Sequence, residues 1–387
     1  MTDREACIVL NMISGVGHAK FRALAAEFGS PAAVCGVPAA RLEQVAGIGP
    51  TLGGRIAGFD WEGSLVRELE LAERGGVRIF TLYDDAYPAV LRELYDPPLT
   101  LYVRGELPEF DRNTLAVIGS RRMSRYGGEM TAALTADAVA AGFKIVSGLA
   151  FGVDTVAHAT TVEQGGVTVA VLGGGLAKVH PQENLPLARR IIETGGAVVS
   201  EFPMNFPVNR TSFPRRNRIV ARLSNGILVT EAGVDSGAMI TANLGLDFGL
   251  TVMAVPGRAD NPQSRGCHRL IRQGAALVEE IADILNAMEC GLLPGLNFHA
   301  DAIDTGVAYD HEGRSDLSDE ARQVLARLEE GEAGFDELAA ATGLDTGRLT
   351  GVLMKLEMQM LIRRFADQSY ALRRNHPAAG AADKEDV

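Results

Sequence analysis

Five arginines fall within thirteen residues, Arg210, Arg215, Arg216, Arg218 and Arg222, with Phe213 set among them and no Asp or Glu between Phe202 and Thr230. Guanidinium forks bind phosphates, and an aromatic face stacks on an unpaired base, which a duplex would hide. An acid-free run of this kind suits a single-stranded nucleic acid. The competing reading is an Arg-rich surface turn with Phe213 in the core.

Three further loops carry small residues and backbone donors, the equipment of an anion site at a helix N-terminus. The first is Gly119-Ser120-Arg121-Arg122-Met123-Ser124-Arg125-Tyr126-Gly127, with three arginines in five residues; the second is Ser147-Gly148-Leu149-Ala150-Phe151-Gly152-Val153-Asp154, followed by His158. The third is Gly173-Gly174-Gly175-Leu176-Ala177-Lys178-Val179-His180-Pro181. Asn217 adds a side-chain amide inside the arginine run. Thr230-Glu231-Ala232-Gly233 before Ser236-Gly237 offers an enzymatic alternative, in which a carboxylate lies over a sugar phosphate as in Rossmann-like nucleotide phosphoribohydrolases. Against that, Glu231 and Asp235 could cap the following helix or hold the arginines. No GxxxxGK[ST] and no Gly-Lys pair occur, and the glycine run lacks GxGxxG. His158 and His180 have no evident Ser or Cys nucleophile and read as structural. No catalytic residue is assigned.

The elements that position these loops follow from periodicity. Short β-rich runs at Thr114–Ile118, Lys144–Ser147, Val167–Leu172, Ala197–Ser200, Gly226–Thr230 and Thr251–Val255 alternate with stretches of helix length such as Gly128–Ala141 and Asp154–Gln164. That alternation predicts an α/β fold, a Rossmann-like doubly wound and mostly parallel sheet. Its strand-to-helix loops share one edge, where ligands bind. Val77–Leu82 and Leu99–Val103 add strands, with a turn at Pro97-Pro98. This domain spans 77–288.

Residues 1–70 read as a small helical N-terminal domain. Ile13-Ser14-Gly15-Val16-Gly17 and Val45-Ala46-Gly47-Ile48-Gly49 repeat the glycine turn of a helix-hairpin-helix. Such turns present backbone N–H groups to phosphates, but the same turn also packs helical domains that touch no DNA. Residues 289–315 read as a linker. Three helix candidates, Ser318–Glu330, Phe335–Thr342 and Thr346–Met358, and a hairpin at Leu361–Leu372 predict a C-terminal winged-helix domain over 316–374, with Ser318 and Asp345 as N-caps. Its third helix offers only Arg348 and Lys355, beside Glu357, so it suits protein contact or structure better than a DNA groove. The tail, 375–387, reads as disordered.

The chain has 387 residues, 47% hydrophobic and 22% charged, which excludes wholesale disorder. A net charge of -12 argues against nucleic acid only until it is divided. Residues 1–76 carry 7 basic and 9 acidic groups and 316–374 carry 8 and 11, whereas 114–285 carry 16 and 14. A polyanion would therefore meet the middle. The four cysteines form no close pair and the histidines are scattered, so no disulfide, metal site or cofactor is expected. Without a signal peptide or an apolar run of spanning length, no membrane association is expected, and the expected location is the cytoplasm.

Taken in order, the loops resemble the DNA-processing protein A (Smf) family. The likeness rests on Val117-Ile118-Gly119-Ser120-Arg121, Ser147 to Asp154 with Ala157-His158, Phe213-Pro214-Arg215-Arg216-Asn217-Arg218, Glu231-Ala232 with Ser236-Gly237, and Ala254-Val255-Pro256-Gly257. Where that family has Gly-Leu-Asp and then Tyr-Pro, this chain has Gly175-Leu176-Ala177 and His180-Pro181. The resemblance implies a non-catalytic, single-stranded-DNA-binding mediator that dimerises through its Rossmann-like domain and helps load the RecA recombinase during natural transformation. It also implies that Gly119, Ser120, Arg121, Arg210, Phe213, Arg215 and Arg218 lie at the DNA pocket. Lys178 and Asn217 join them from the loops.

Overall fold

A computed structural model describes residues 1–288, 318–329, 333–358, 362–364 and 369–372. The expected linker and tail lie outside these residues. The chain divides into two compact units, Met1–Asn297 and Phe298–Val387.

Five helices open the first unit: α1 Asp3–Met12, α2 His18–Phe28, α3 Ala39–Leu42, α4 Pro50–Ala57 and α5 Trp61–Arg74. The turns before α2 and α4 need glycine, since Gly15 and Gly47 adopt φ of 101° and 83°. They lie side by side, with Arg55 Nη1 donating to Ser14 O at 3.2 Å. After them come β1 Val77–Thr81, α6 Ala89–Arg92, β2 Thr100–Gly105, β3 Thr114–Ile118, α7 Arg125–Ala140, β4 Lys144–Ser147, α8 Val153–Glu163, β5 Thr168–Val171, α9 Leu185–Glu193 and β6 Ala197–Ser200. The unit closes with α10 Ser212–Arg222, β7 Gly226–Val229, α11 Gly237–Asp247, β8 Thr251–Ala254, α12 Arg265–Arg272, β9 Ala276–Leu277 and α13 Ile281–Ala287.

The nine strands form one sheet in the order β1-β2-β6-β5-β4-β3-β7-β8-β9. From β6 to β9 every pairing is parallel, whereas β1 pairs antiparallel with β2, and β2 antiparallel with β6. The chain winds outward from β3 through β4, β5 and β6, then returns to β7 on the other side. Between β3 and β7 lies the topological switch point, where the loops part and a crevice must open. At the far edge the sheet ends in β9, only two residues long.

The strands form where the sequence places buried β-branched runs: Thr114–Ile118, Thr168–Val171 and Gly226–Val229 are buried throughout, as sheets covered on both faces require. The N-terminal helices share that core. Leu10, Leu24 and Ile56 cluster with Tyr102, Ile191 and Val198 of β2, α9 and β6. Polar bonds cross the same boundary: Asn11 Nδ2 donates to Glu201 O at 3.1 Å, and Met204 N donates to the Glu68 carboxylate at 2.7 Å. A chain begun at residue 77 would expose this shared surface.

In the second unit α14 Asp319–Glu329, α15 Phe335–Thr342 and α16 Thr346–Met358 pack around Leu338, Leu349 and Leu356, beside a sheet of β10 Ala333–Gly334, β11 Ile362–Arg364 and β12 Ser369–Leu372. The strand order is β10-β12-β11, antiparallel throughout. This is a winged helix. Ser318 and Asp345 cap α14 and α16 through Ala321 N at 3.3 Å and Arg348 N at 3.0 Å. Arg348 is held between Glu320 at 3.5 Å and Asp345 at 3.7 Å. Among the described residues no helix is long and apolar enough to cross a membrane.

Candidate nucleic-acid interface

The arginine run, expected as a loop, is for the most part a helix, α10. Pro214 occupies the first turn of α10, where no intrahelical N–H is needed. Just before it, Asn209 Oδ1 accepts from the amides of Thr211 and Ser212, each at 2.9 Å. Helical spacing then sends the arginines in different directions.

Arg216 points inward. It is 5% exposed, its guanidinium donates to Val171 O, and it lies so close to Gly148 that any side chain there would overlap it. Asp154, also buried, accepts from the amides of Gly148 at 3.2 Å and Ala150 at 3.3 Å. Burial raises the Asp154 carboxyl against the opposing pull of Arg216, and burial likewise lowers Arg216.

The remaining arginines find acids that the local sequence does not contain. Arg218 meets Glu201 at 2.6 Å and Arg215 meets the same oxygen at 3.1 Å, while Arg222 pairs with Glu93. The run is therefore largely compensated, contrary to its acid-free sequence, because its partners arrive from the segment before β2, the end of β6 and α8. Arg215 keeps half its side chain exposed, 51%, against 13% for Arg218, so only Arg215 of that pair presents charge outward. Arg210 is exposed and, among the described residues, has no acidic partner.

Phe213 is half-buried at the start of α10. The Arg121 guanidinium lies 4.6 Å over its ring, and the His180 ring is 6.5 Å away in a tilted arrangement. His180, expected to be structural, thus flanks this aromatic, and Lys178 lies exposed two residues earlier. At that separation the guanidinium already covers one part of the ring, so a flat base would stack on what it leaves uncovered or take its place.

At the switch point the first loop is fastened from below. Ser120 N donates to Glu231 O at 2.7 Å, and Ser120 Oγ to Gln263 Oε1 at 3.1 Å. Glu231 is 1% exposed and accepts from Ser124 N and Ser124 Oγ, each at 2.6 Å, and from Asn261 Nδ2 at 3.3 Å. Its carboxylate therefore secures the N-cap of α7, not the following helix nor the arginines. With three donors engaged it has little left for a substrate. His158 is also structural: the Thr168 hydroxyl donates to Ile145 O, so His158 Nδ1–H donates to Thr168 Oγ1 at 2.8 Å.

Above these bonds opens a cleft of about 630 Å³. Of the nine residues expected at the site, Gly119, Ser120, Arg121 and Asn217 line it. Lys178, Arg210, Phe213, Arg215 and Arg218 lie outside it, and Arg121 joins the two groups through its stack on Phe213. The cleft also recruits Arg122, Gly237, Gln263 and Arg265. Arg122 stands in the loop after β3, but Gln263 and Arg265, just before and at the start of α12, belong to no sequence motif and are brought in as α12 packs beside β8.

A doubly wound, mostly parallel sheet with an arginine-lined cleft at its switch point defines a Rossmann-like protein. The chain belongs to the DNA recombination-mediator protein A family, whose model matches residues 78–289, with a DprA winged-helix model matching 311–368. It is 38% identical to Protein Smf of Escherichia coli K12 over 272 residues, covering 70% of this chain and 71% of that protein. It is 39% identical to DNA processing protein DprA of Streptococcus pneumoniae over 214 residues, covering 54% and 74%. Among solved structures, S. pneumoniae DprA superposes with a TM-score of 0.62 at 31% identity, covering 74% of this chain and 98% of that one. Helicobacter pylori DNA processing protein A, whose single-stranded DNA binding mode has been described structurally, gives 0.50 at 28% identity, covering 56% and 98%.

Proposed function

We propose that this protein binds single-stranded DNA across the N-terminal end of α10 and serves as a non-catalytic recombination mediator. Arg121, Arg210 and Arg215, with Lys178, hold phosphates, and Phe213 stacks on a base. Gly119, Ser120 and Asn217 shape the adjoining cleft, while Arg218 holds Glu201 in place beneath. The observation that carries this reading is the Arg121–Phe213 stack beside uncommitted Arg210. A duplex hides its bases and could not use Phe213 in this way.

By the same reading the protein acts in the cytoplasm as a homodimer joined through its Rossmann-like domain, helps load RecA during natural transformation, and needs no cofactor. The decisive experiment is a titration of labelled oligo-dT against a matched duplex, without nucleotide or metal. Tighter binding of the single strand is expected; equal affinity, or a requirement for ATP, would overturn the reading. RecA loading is tested separately, by the rate of RecA filament nucleation on a protein-coated single strand with and without this protein.

A further inference from the structure

Glu68 is a carboxylate buried where no charge is needed for packing. It sits on α5 of the N-terminal helical domain, is 3% exposed, and has no ion-pair partner among the described residues. The phenol of Tyr102, fully buried beside it, is pushed well above its ordinary range by burial first and by the Glu68 carboxylate second. An ion buried without a counter-ion costs stability. What this one holds is a single backbone amide, Met204 N at 2.7 Å.

Met204 lies in the segment 201–211 between β6 and α10, and residues assigned to the strand-binding face depend on that segment from two sides. Toward α10, Glu201 accepts from Arg215 at 3.1 Å and from Arg218 at 2.6 Å, and the Arg215 guanidinium lies 4.8 Å over the Phe202 ring. Phe202 in turn stacks on Phe206, with ring centroids 4.5 Å apart. Arg215 is thus oriented by two consecutive residues of the segment. Toward the third loop, Met204 O accepts from Ala177 N and Phe206 O from Gly175 N, each at 3.0 Å. Gly175 passes so near Pro203 O and Met204 O that any side chain there would overlap them. Met204 therefore has its N–H on Glu68 and its C=O on the residue before Lys178.

We propose that Glu68 is a positioning residue for strand binding, through which the N-terminal helical domain sets Arg215 and Lys178 without itself meeting the strand. The proposal rests on the single-strand reading above. Binding side chains work only when their supports hold them to within about 0.5 Å, and a buried carboxylate on a loop amide is such a support. Asn11 Nδ2, which donates to Glu201 O at 3.1 Å, adds a second tie from the same domain. The charge of that domain agrees: residues 1–76 carry 7 basic and 9 acidic groups, a poor surface for a polyanion but no obstacle to a brace.

The test uses the full chain, shown by its melting curve to be folded at the temperature of measurement, and reads oligo-dT anisotropy across a salt series. Glu68→Leu fills the space and removes the acceptor; Glu68→Gln keeps an oxygen for Met204 N. Glu68→Leu should weaken binding by about tenfold, the worth of one charge-assisted contact, and lower the salt slope by about 0.7 or more, while Glu68→Gln restores both. Adding Arg215→Ala and Lys178→Ala to Glu68→Leu should then cost far less than they cost the parent. A merely structural role would instead reduce the fraction of active protein, which leaves the slope and the Arg215 and Lys178 losses unchanged. Should Glu68→Leu fail to fold, Asn11→Ala loosens the same segment through Glu201 and carries the same expectation for Arg215; a parental slope there overturns the proposal likewise.

Two further results overturn it: a folded Glu68→Leu with the parent's salt slope, or losses that add in full to those of Arg215→Ala and Lys178→Ala. Failure of the single-strand reading looks different. It shows in the parent, as absent oligo-dT binding or binding indifferent to Arg215→Ala and Lys178→Ala, and takes this proposal with it.

Discussion

The guanidinium of Arg121 lies 4.6 Å over the ring of Phe213, which ties the first loop of the sheet to the first turn of α10. On the reading proposed above, the side chain that would hold a phosphate and the one that would stack on a base are already in contact in the free protein. Phe213→Ala should cost about 1–3 kcal/mol of oligo-dT affinity at every salt concentration. Arg121→Ala should weaken binding and lower the salt slope by about 0.7. Because each side chain holds the other, the double variant should lose less than the sum. Fluorescence anisotropy across a salt series reads all three; additive losses would show that the stack is irrelevant to binding.

Arg210 and Arg215 should differ in a way their sequence positions do not suggest. Arg215 shares Glu201 at 3.1 Å, whereas Arg210 is exposed without an acidic partner among the described residues. A paired cation displaces fewer counterions. Arg210→Ala is expected to flatten the salt dependence by about the full 0.7 per contact, and Arg215→Ala by less. Equal slopes would mean that Glu201 releases Arg215 on binding.

For Glu231 the expected defect is stability rather than chemistry. Removing its carboxylate leaves Ser124, the N-cap of α7, without its two 2.6 Å bonds, so Glu231→Ala should lower unfolding stability by about 1–3 kcal/mol. Incubating the parent with AMP or cytokinin-type nucleotides should release no base. Release that disappears in Glu231→Ala would revive the phosphoribohydrolase alternative.

The contrast between Glu231 and the strands marks what the sequence made legible. Strand positions follow from runs such as Thr114–Ile118, whose β-branched residues are buried on both faces and announce themselves locally. The helical state of 212–222 was hidden by Pro214, which breaks a helix everywhere except in its first turn. Charge balance was hidden by distance, since Glu93, Asp154 and Glu201 reach the arginines only through the sheet. The role of Glu231 was hidden in the same way, because its partner Ser124 lies 107 residues away.

His158 predicts the acid limb of the stability profile. Burial lowers its pKa from 6.5 to about 3, so the neutral ring belongs to the folded state and the unfolded chain takes up the proton first. The stability it contributes is complete above about pH 6.5 and is lost as the pH falls toward 3, at up to about 1.4 kcal/mol per pH unit. Chemical denaturation between pH 7 and pH 4 should show a shallower decline in His158→Gln than in the parent, even if that variant starts from a lower value. Parallel declines would assign the acid sensitivity to other groups.

The brevity of β9 carries a consequence for assembly. An edge strand of Ala276 and Leu277 alone offers a neighbouring molecule scarcely one rung of backbone hydrogen bonding, too little to extend the sheet from that side into a second copy. A contact between copies at that edge would have to be made by side chains, which are selective, instead of by main chain, which pairs with almost any strand.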